Sequence, residues 1–225
     1  MHNQEIILNA GKTNLGKIIR KGNTIRRPIN GNSNFVQKLL CYLETVNFDA
    51  SPRFLGIDEQ GREIISYLEG DVPSNLIYYS DEELILAAKL IRRFHDITAG
   101  CELAGTQEIV CHHDLSPCNF VFIKNAPIAI IDFEMAAPGK RIFDLAYAAW
   151  LWLDIGNIDI TANEQKRRLL LFAQAYGISD IYLLIQVMLQ RQTILMQEAI
   201  KRDKQCMRKW VQSSLDWTYI NLDKN

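Results

Sequence analysis

Three oxygen-bearing side chains, Asp114, Asn119 and Asp132, follow one another at intervals of five and thirteen residues. The first two lie in "CHHDLSPCNFVF" (111–122) and the third in "IAIIDFE" (128–134). Asn119 and Asp132 suit a hard cation such as magnesium, which prefers oxygen ligands, keeps several waters and lets nucleotide phosphates complete its octahedron. A hydroxyl attacking a phosphate must lose its proton, which needs a carboxylate beside the nucleophile, and Asp114 is the candidate base. The implied chemistry is phosphoryl transfer, resting on positioning and charge neutralisation.

Other chemistries fit the same residues less well. Cys111, His112, His113 and Cys118 are possible zinc ligands, but adjacent histidines diverge from an extended chain and neither cysteine belongs to a C-x-x-C pair. Nothing local argues for a depressed thiol pKa at Cys118, so a cysteine nucleophile lacks its activation. "AGKT" (10–13) resembles the end of a phosphate-binding P-loop, but Ile6 stands where the first glycine must be. Asp and Asn also favour turns and caps, which is the bland explanation for all three residues.

The elements that must position them change character along the chain. Short β signals fill the first third, "EIIL" (5–8), "GKIIR" (16–20), "TIRR" (24–27), "RFLGI" (53–57) and "EIISYL" (63–68), with one helix over 34–46 between them. After "EGDVPSN" (69–75) the pattern is helical. "SDEELILAAKLIRRFHDI" (80–97) opens on a capping-box pair, Ser80 and Glu83, then runs apolar at 84, 87, 88, 91 and 94. A hairpin, "FVFI" (120–123), "KNAP" and "IAIIDF" (128–133), surrounds the motif, and helices are expected over 143–153, 165–176 and 180–219. The aromatic run "YAAWLWL" (147–153) reads as helix core.

The motif carries a family resemblance. "HHDLSPCN" (112–119) resembles the kinase catalytic loop H-R-D-L-x-x-x-N, and "IDFE" (131–134) resembles its metal-binding D-F-G segment with Glu134 in place of glycine. Loss of that arginine and glycine points away from protein kinases and toward the aminoglycoside phosphotransferase family and its relatives acting on choline, homoserine and other small alcohols. "GNTIRRP" (22–28), "FHD" (94–96) and "FDLA" (143–146) extend the likeness over most of residues 5–155.

The resemblance implies a two-lobed, protein-kinase-like α+β fold, with residues 1–66 as nucleotide lobe and 67–225 as catalytic and substrate lobe. It implies ATP and magnesium as cofactors and a small-molecule hydroxyl as acceptor, aminoglycoside-like or another amino alcohol. It assigns Asp114 as base and Asn119 and Asp132 as metal ligands. Arg26 is the first choice for the cation on the nucleotide phosphates, with Arg27 as fallback. Ser66 and Leu68 would offer backbone groups to the adenine edge from the hinge, and Asp144 would brace the catalytic loop. The helix at 34–46 offers Gln37 but no clear glutamate to pair with the phosphate-binding cation, and "LNAGKTNLGK" (8–17) is poor in glycine for a phosphate loop. The rival reading is a nucleotide-binding relative that is catalytically idle.

Composition narrows the classes further. With 25 Lys and Arg against 26 Asp and Glu, the chain lacks the basic field that nonspecific nucleic-acid binding needs. Five cysteines without framework spacing read as reduced thiols. No apolar run approaches the roughly 20 residues of a membrane-spanning helix, and the N-terminus lacks a signal-peptide pattern. A cytoplasmic protein is expected.

Overall fold

A computed structural model describes residues 5–8 and 18–223. Its first part is an antiparallel sheet of five strands, β1 (Glu5–Ile7), β2 (Ile19–Lys21), β3 (Thr24–Arg27), β4 (Phe54–Ile57) and β5 (Glu63–Ser66), in the order β1-β2-β3-β5-β4. Helix α1 (Ser33–Thr45) lies between β3 and β4 in sequence and buries Val36, Leu39, Leu40 and Leu43, an i, i+3, i+4, i+7 stripe. Asn32 precedes it without capping it. Its side-chain amide instead donates to the carbonyls of Glu134 and Ala136, at 2.9 and 3.0 Å, in the second part of the molecule. Most of the glycine-poor segment 8–17 lies outside the described residues.

The second part is mainly helical. In α2 (Asp81–Thr98), Ser80 and Glu83 close the expected capping box, and Leu84, Ala87, Ala88, Ile91 and Phe94 are all fully buried. Strand β6 (Ile109–Cys111) leads into the loop that carries Asp114 and Asn119; β7 (Phe120–Ile123) and β8 (Ala126–Ile130) form the hairpin behind it. Lys124 and Asn125 both have positive φ, 48° and 65°, the backbone that a two-residue hairpin turn requires. A short strand, β9 (Ala137–Gly139), pairs with β6. Helices α3 (Arg141–Trp152), α4 (Ala162–Tyr176), α5 (Ile181–Lys201) and α6 (Gln205–Thr218) complete this part.

The helix expected over 180–219 is broken. Asp203, at φ 48°, ends α5 and turns the chain into α6. Among the described residues no single helix is long and apolar enough to cross a membrane; α4 and α5 pass that test only together, across a 106° bend. Trp150 and Trp152 are buried core side chains, Trp152 packing on Tyr79, Phe120 and Phe122 and donating its indole N–H to the Leu115 carbonyl.

The two parts meet at the chain crossing after β5. Asp71 and Phe122 exchange N–H to carbonyl hydrogen bonds of 2.9 and 2.8 Å, joining the crossing to β7. Gly70 makes this approach possible: at φ +143°, a Cβ there would lie 2.5 Å from the Phe122 carbonyl oxygen.

Candidate active site

Strand β6 delivers the chain to the loop, and α3 holds the loop from behind. Asp144, in the first turn of α3, is completely buried. Its carboxylate accepts the N–H of His112 (2.7 Å) and of His113 (2.8 Å), with His95 Nε2 at 3.1 Å. Burial pushes this carboxyl up. The hydrogen bond from His95 and the His112 N–H outweigh it and hold the pKa down to about 2. The brace that the resemblance implied thus acts on backbone N–H groups.

Within the loop, His113 adopts φ 66°, an uncommon left-handed conformation for a non-glycine residue. Burial lowers its pKa, which favours neutral imidazole. His112 donates from Nε2 to the Ile131 carbonyl (2.9 Å) and accepts the Asp114 N–H on Nδ1 (3.3 Å). That pair of bonds assigns its neutral tautomer, and it ties the loop to the strand end that precedes Asp132.

A short 3-10 turn, Pro117–Asn119, capped by the Ser116 hydroxyl, then presents Asn119. Its side-chain N–H₂ donates to both the Asp114 carbonyl (2.8 Å) and the Asp114 carboxylate (2.9 Å). The amide oxygen is left as its free end. Ile131 N–H donates to the Asn119 carbonyl (2.9 Å), so Asp132 follows directly on a residue anchored to Asn119. Asp132 itself is left-handed, φ 63° and ψ 57°. Among the described residues no donor reaches Asn119 Oδ1 or the Asp132 carboxylate, and these are the all-oxygen donors that a hard cation prefers.

The sheet side of the site separates the two arginines. Arg26 and Arg27 are consecutive on β3 and therefore point to opposite faces. Arg26 donates to the Thr24 hydroxyl (2.5 Å) and stands 3.8 Å from Asp58. Arg27 lies on the buried face with Ile25, pairs with Glu63 across the strands at 2.7 Å and comes within 3.9 Å of Glu134. Gln37 of α1 donates to the other oxygen of Glu63 (2.7 Å). The carboxylate partner missing from the helix is therefore supplied by β5.

Of the hinge candidates, Ser66 is spent on the sheet: its N–H donates to the Arg53 carbonyl (2.9 Å) and its hydroxyl accepts the Arg53 N–H (2.8 Å). The Leu68 backbone has no hydrogen-bond partner among the described residues.

The zinc and thiol alternatives lose ground. Cys111, His113 and Asp144 offer ligand atoms within 4.8 Å of one another, but the Asp144 oxygens already accept three donors. Burial, reinforced by Asp144, pushes the Cys111 thiol well above its ordinary pKa, and burial does the same at Cys118. A thiol held protonated is a poor ligand and a poor nucleophile. Sequence reasoning missed Glu63, Tyr147 and Arg191. Burial, reinforced by the charge of Asp114, raises the pKa of Tyr147, and Arg191 donates to the His113 carbonyl at 3.1 Å.

Comparison with known proteins bears on the family and the fold. The family described as "Phosphotransferase enzyme family" matches residues 67–182. The trifolitoxin immunity protein of Rhizobium leguminosarum bv. trifolii is 31% identical over 204 residues, covering 79% of this chain and 76% of that protein. Among solved structures, a Plasmodium vivax ethanolamine kinase superposes with a TM-score of 0.70 at 14% identity, over 99% of this chain and 84% of that one. The GDP complex of aminoglycoside 2'-phosphotransferase-IIIa gives 0.64 at 12% identity, over 98% and 94%. These likenesses show the expected two-lobed, kinase-like α+β fold.

Proposed function

The chain belongs to the phosphotransferase enzyme family, and from that premise we propose that it is a small-molecule kinase moving the γ-phosphate of ATP to an alcohol. The nucleotide lobe is taken as residues 1–66 and the catalytic and substrate lobe as 67–225, in a cytoplasmic protein. One observation carries the reading: the Asn119 side-chain amide donates to the Asp114 carboxylate and carbonyl, and the Asn119 backbone carbonyl takes the N–H of Ile131, the residue before Asp132. Base and metal-ligand candidates are thereby tied into one hydrogen-bonded unit.

In this mechanism Asp114 accepts the proton of the acceptor hydroxyl. The Asn119 amide fixes its orientation through two donated bonds, and the Asp144 brace fixes the loop backbone on which it sits. Asn119 Oδ1 and Asp132 would hold magnesium, which when bound neutralises phosphate charge. Arg27 replaces Arg26 as the cation on the phosphates: it shares the buried face with Ile25, is pre-oriented by Glu63 and Gln37, and neighbours Glu134 of the metal segment. Arg26 is directed to Thr24 and Asp58 instead. Leu68, not Ser66, offers the unpaired hinge backbone for the adenine edge.

The test is an ADP-release screen with ATP and magnesium over aminoglycosides, choline, homoserine, sugars and nucleosides, using Asp114→Asn as blank. Release that depends on both an alcohol and Asp114 is expected. Nucleotide binding without any such release would instead favour the idle relative.

A second reading of the acceptor comes from the 31% identity to an immunity protein. Here the chain protects its cell by phosphorylating a hydroxyl of a toxin. Transfer of ³²P from ATP to trifolitoxin, absent with Asp114→Asn, would distinguish that acceptor from the alcohols of the screen.

A further inference from the structure

Three helices meet at the buried carboxylate of Asp144: α3 carries it, α2 brings His95 and α4 brings Tyr176. His95, in the last turn of α2, is completely buried. Its Nε2 stands 3.1 Å from the Asp144 carboxylate, and its Nδ1 stands 2.7 Å from the hydroxyl of Tyr176, the last residue of α4. The two rings meet edge-on, 5.6 Å between centroids. Hydrogen bonds therefore run without a gap from the Tyr176 hydroxyl through His95 and Asp144 to the N–H groups of His112 and His113.

Elementary chemistry gives this series its direction. An ionised carboxylate has no proton to give, so His95 Nε2 carries the hydrogen and, in the neutral ring, Nδ1 is left as an acceptor. Burial pushes the Tyr176 hydroxyl up to about 12, so the phenol keeps its proton and donates to Nδ1. Asp144 alone would select the tautomer but leave the ring free to tilt. Bonds at both nitrogens fix the ring plane.

Tyr176 is itself held by α2. Arg92 Nη1 donates to the Tyr176 carbonyl at 3.1 Å, and the guanidinium carbon lies 5.6 Å from the tyrosine ring centroid. Gly177 permits that approach: it closes α4 at φ +93°, and a Cβ there would stand 2.9 Å from Arg92 Nη1.

We propose that Tyr176 is a positioning residue for the loop that carries Asp114, acting through His95. Its donated hydrogen bond holds the imidazole in the Nε2–H tautomer, aimed at Asp144, and so keeps both carboxylate oxygens on the loop backbone. The catalytic consequence rests on the reading of Asp114 as the base; the positioning itself does not.

Two arms of the test need no substrate. In the ¹⁵N spectrum of histidine-labelled protein, the His95 resonances are those lost in His95→Gln; Nδ1 is expected as a bare acceptor nitrogen and Nε2 as an N–H nitrogen. A hydrogen on Nδ1 overturns the proposal, and this arm stands if Tyr176→Phe folds poorly. In amide hydrogen exchange, Tyr176→Phe should cut the protection of His112 and His113 by about tenfold, the scale of one lost buried hydrogen bond. Leu184 and Met188, fully buried in α5, should change by less than about twofold. Equal losses at all four amides would mean general destabilisation and would sink the assignment. The third arm is ADP release with ATP, magnesium and the panel of aminoglycosides, choline, homoserine, sugars and nucleosides. Tyr176→Phe should lower alcohol-dependent kcat by about tenfold, the cost of a slightly misplaced reacting group, and leave KM for ATP within about twofold. An unchanged kcat, beside turnover that depends on Asp114, refutes the positioning role. No release by the wild type overturns the kinase reading instead, and the first two arms then decide this one.

Discussion

On the catalytic-loop side, a buried carboxylate, Asp144, grips two successive backbone N–H groups and a histidine; on the sheet side, Arg27 is gripped by side chains alone, Glu63 across the strand and Gln37 behind it. The first arrangement fixes a loop whatever its side chains are. The second fixes one side chain and depends on strand register. A backbone grip tolerates change in the gripped residues, and a side-chain grip requires its partners to change together.

The comparison can be broken most severely at the base. Asp114→Ala is expected to lower alcohol-dependent ADP release by about 10²- to 10⁴-fold, the usual contribution of a general base, with ATP affinity retained in calorimetric titration. Retained turnover would remove the catalytic side of the contrast.

Asp144→Ala comes next. It strands the buried His112 N–H, the half-buried His113 N–H and His95, so a loss of about 3 kcal/mol or more is expected in urea unfolding. The same carboxylate sets an acid limb. Because its pKa falls from 3.8 to about 2 on folding, it stabilises the fold above the unfolded value, and this contribution fades as pH drops through the folded one. Worth about 2 kcal/mol, it should make wild-type urea midpoints fall between about pH 4 and pH 2 more steeply than those of Asp144→Asn.

The sheet side is sharpened by the two arginines. Arg27→Met should weaken ATP binding by about tenfold, as loss of a charge-assisted phosphate contact does, and Arg26→Met by clearly less. The reverse ranking would return the assignment to Arg26. The smallest effect lies away from the site: Ser80→Ala removes the α2 capping box and should cost about 1 kcal/mol in thermal or urea unfolding.

What the sequence disclosed follows the same division. Asp114, Asn119 and Asp144 were legible because the loop is contiguous and its supporting carboxylate opens the next helix. The α2 core positions were legible because their period is that of one helix face. The Arg27–Glu63 pair spans 36 residues and depends on the β3–β5 register, which no local pattern fixes; opposite charges in the separated β signals "TIRR" and "EIIS" were a hint only once the strands are known to pair. Arg191 reaches its loop from 78 residues away, and only the packing of α5 on α3 brings it there. Strands β6 and β9, three residues each, are too short for an alternation to register, and the α5–α6 break turns on one left-handed aspartate.

The β7–β8 hairpin touches both ends of the nucleotide's expected path. Phe122 is bonded to Asp71 beyond the hinge, Asn119 immediately precedes β7, and Asp132 follows two residues after Ile130. Four residues of strand span about 13 Å, so the hairpin acts as a ruler between Asp71 and the Asn119–Asp132 end of the loop. A bulge or insertion in β7 would therefore change the separation of Asp71 from Asn119 directly, which a loop of the same length would absorb.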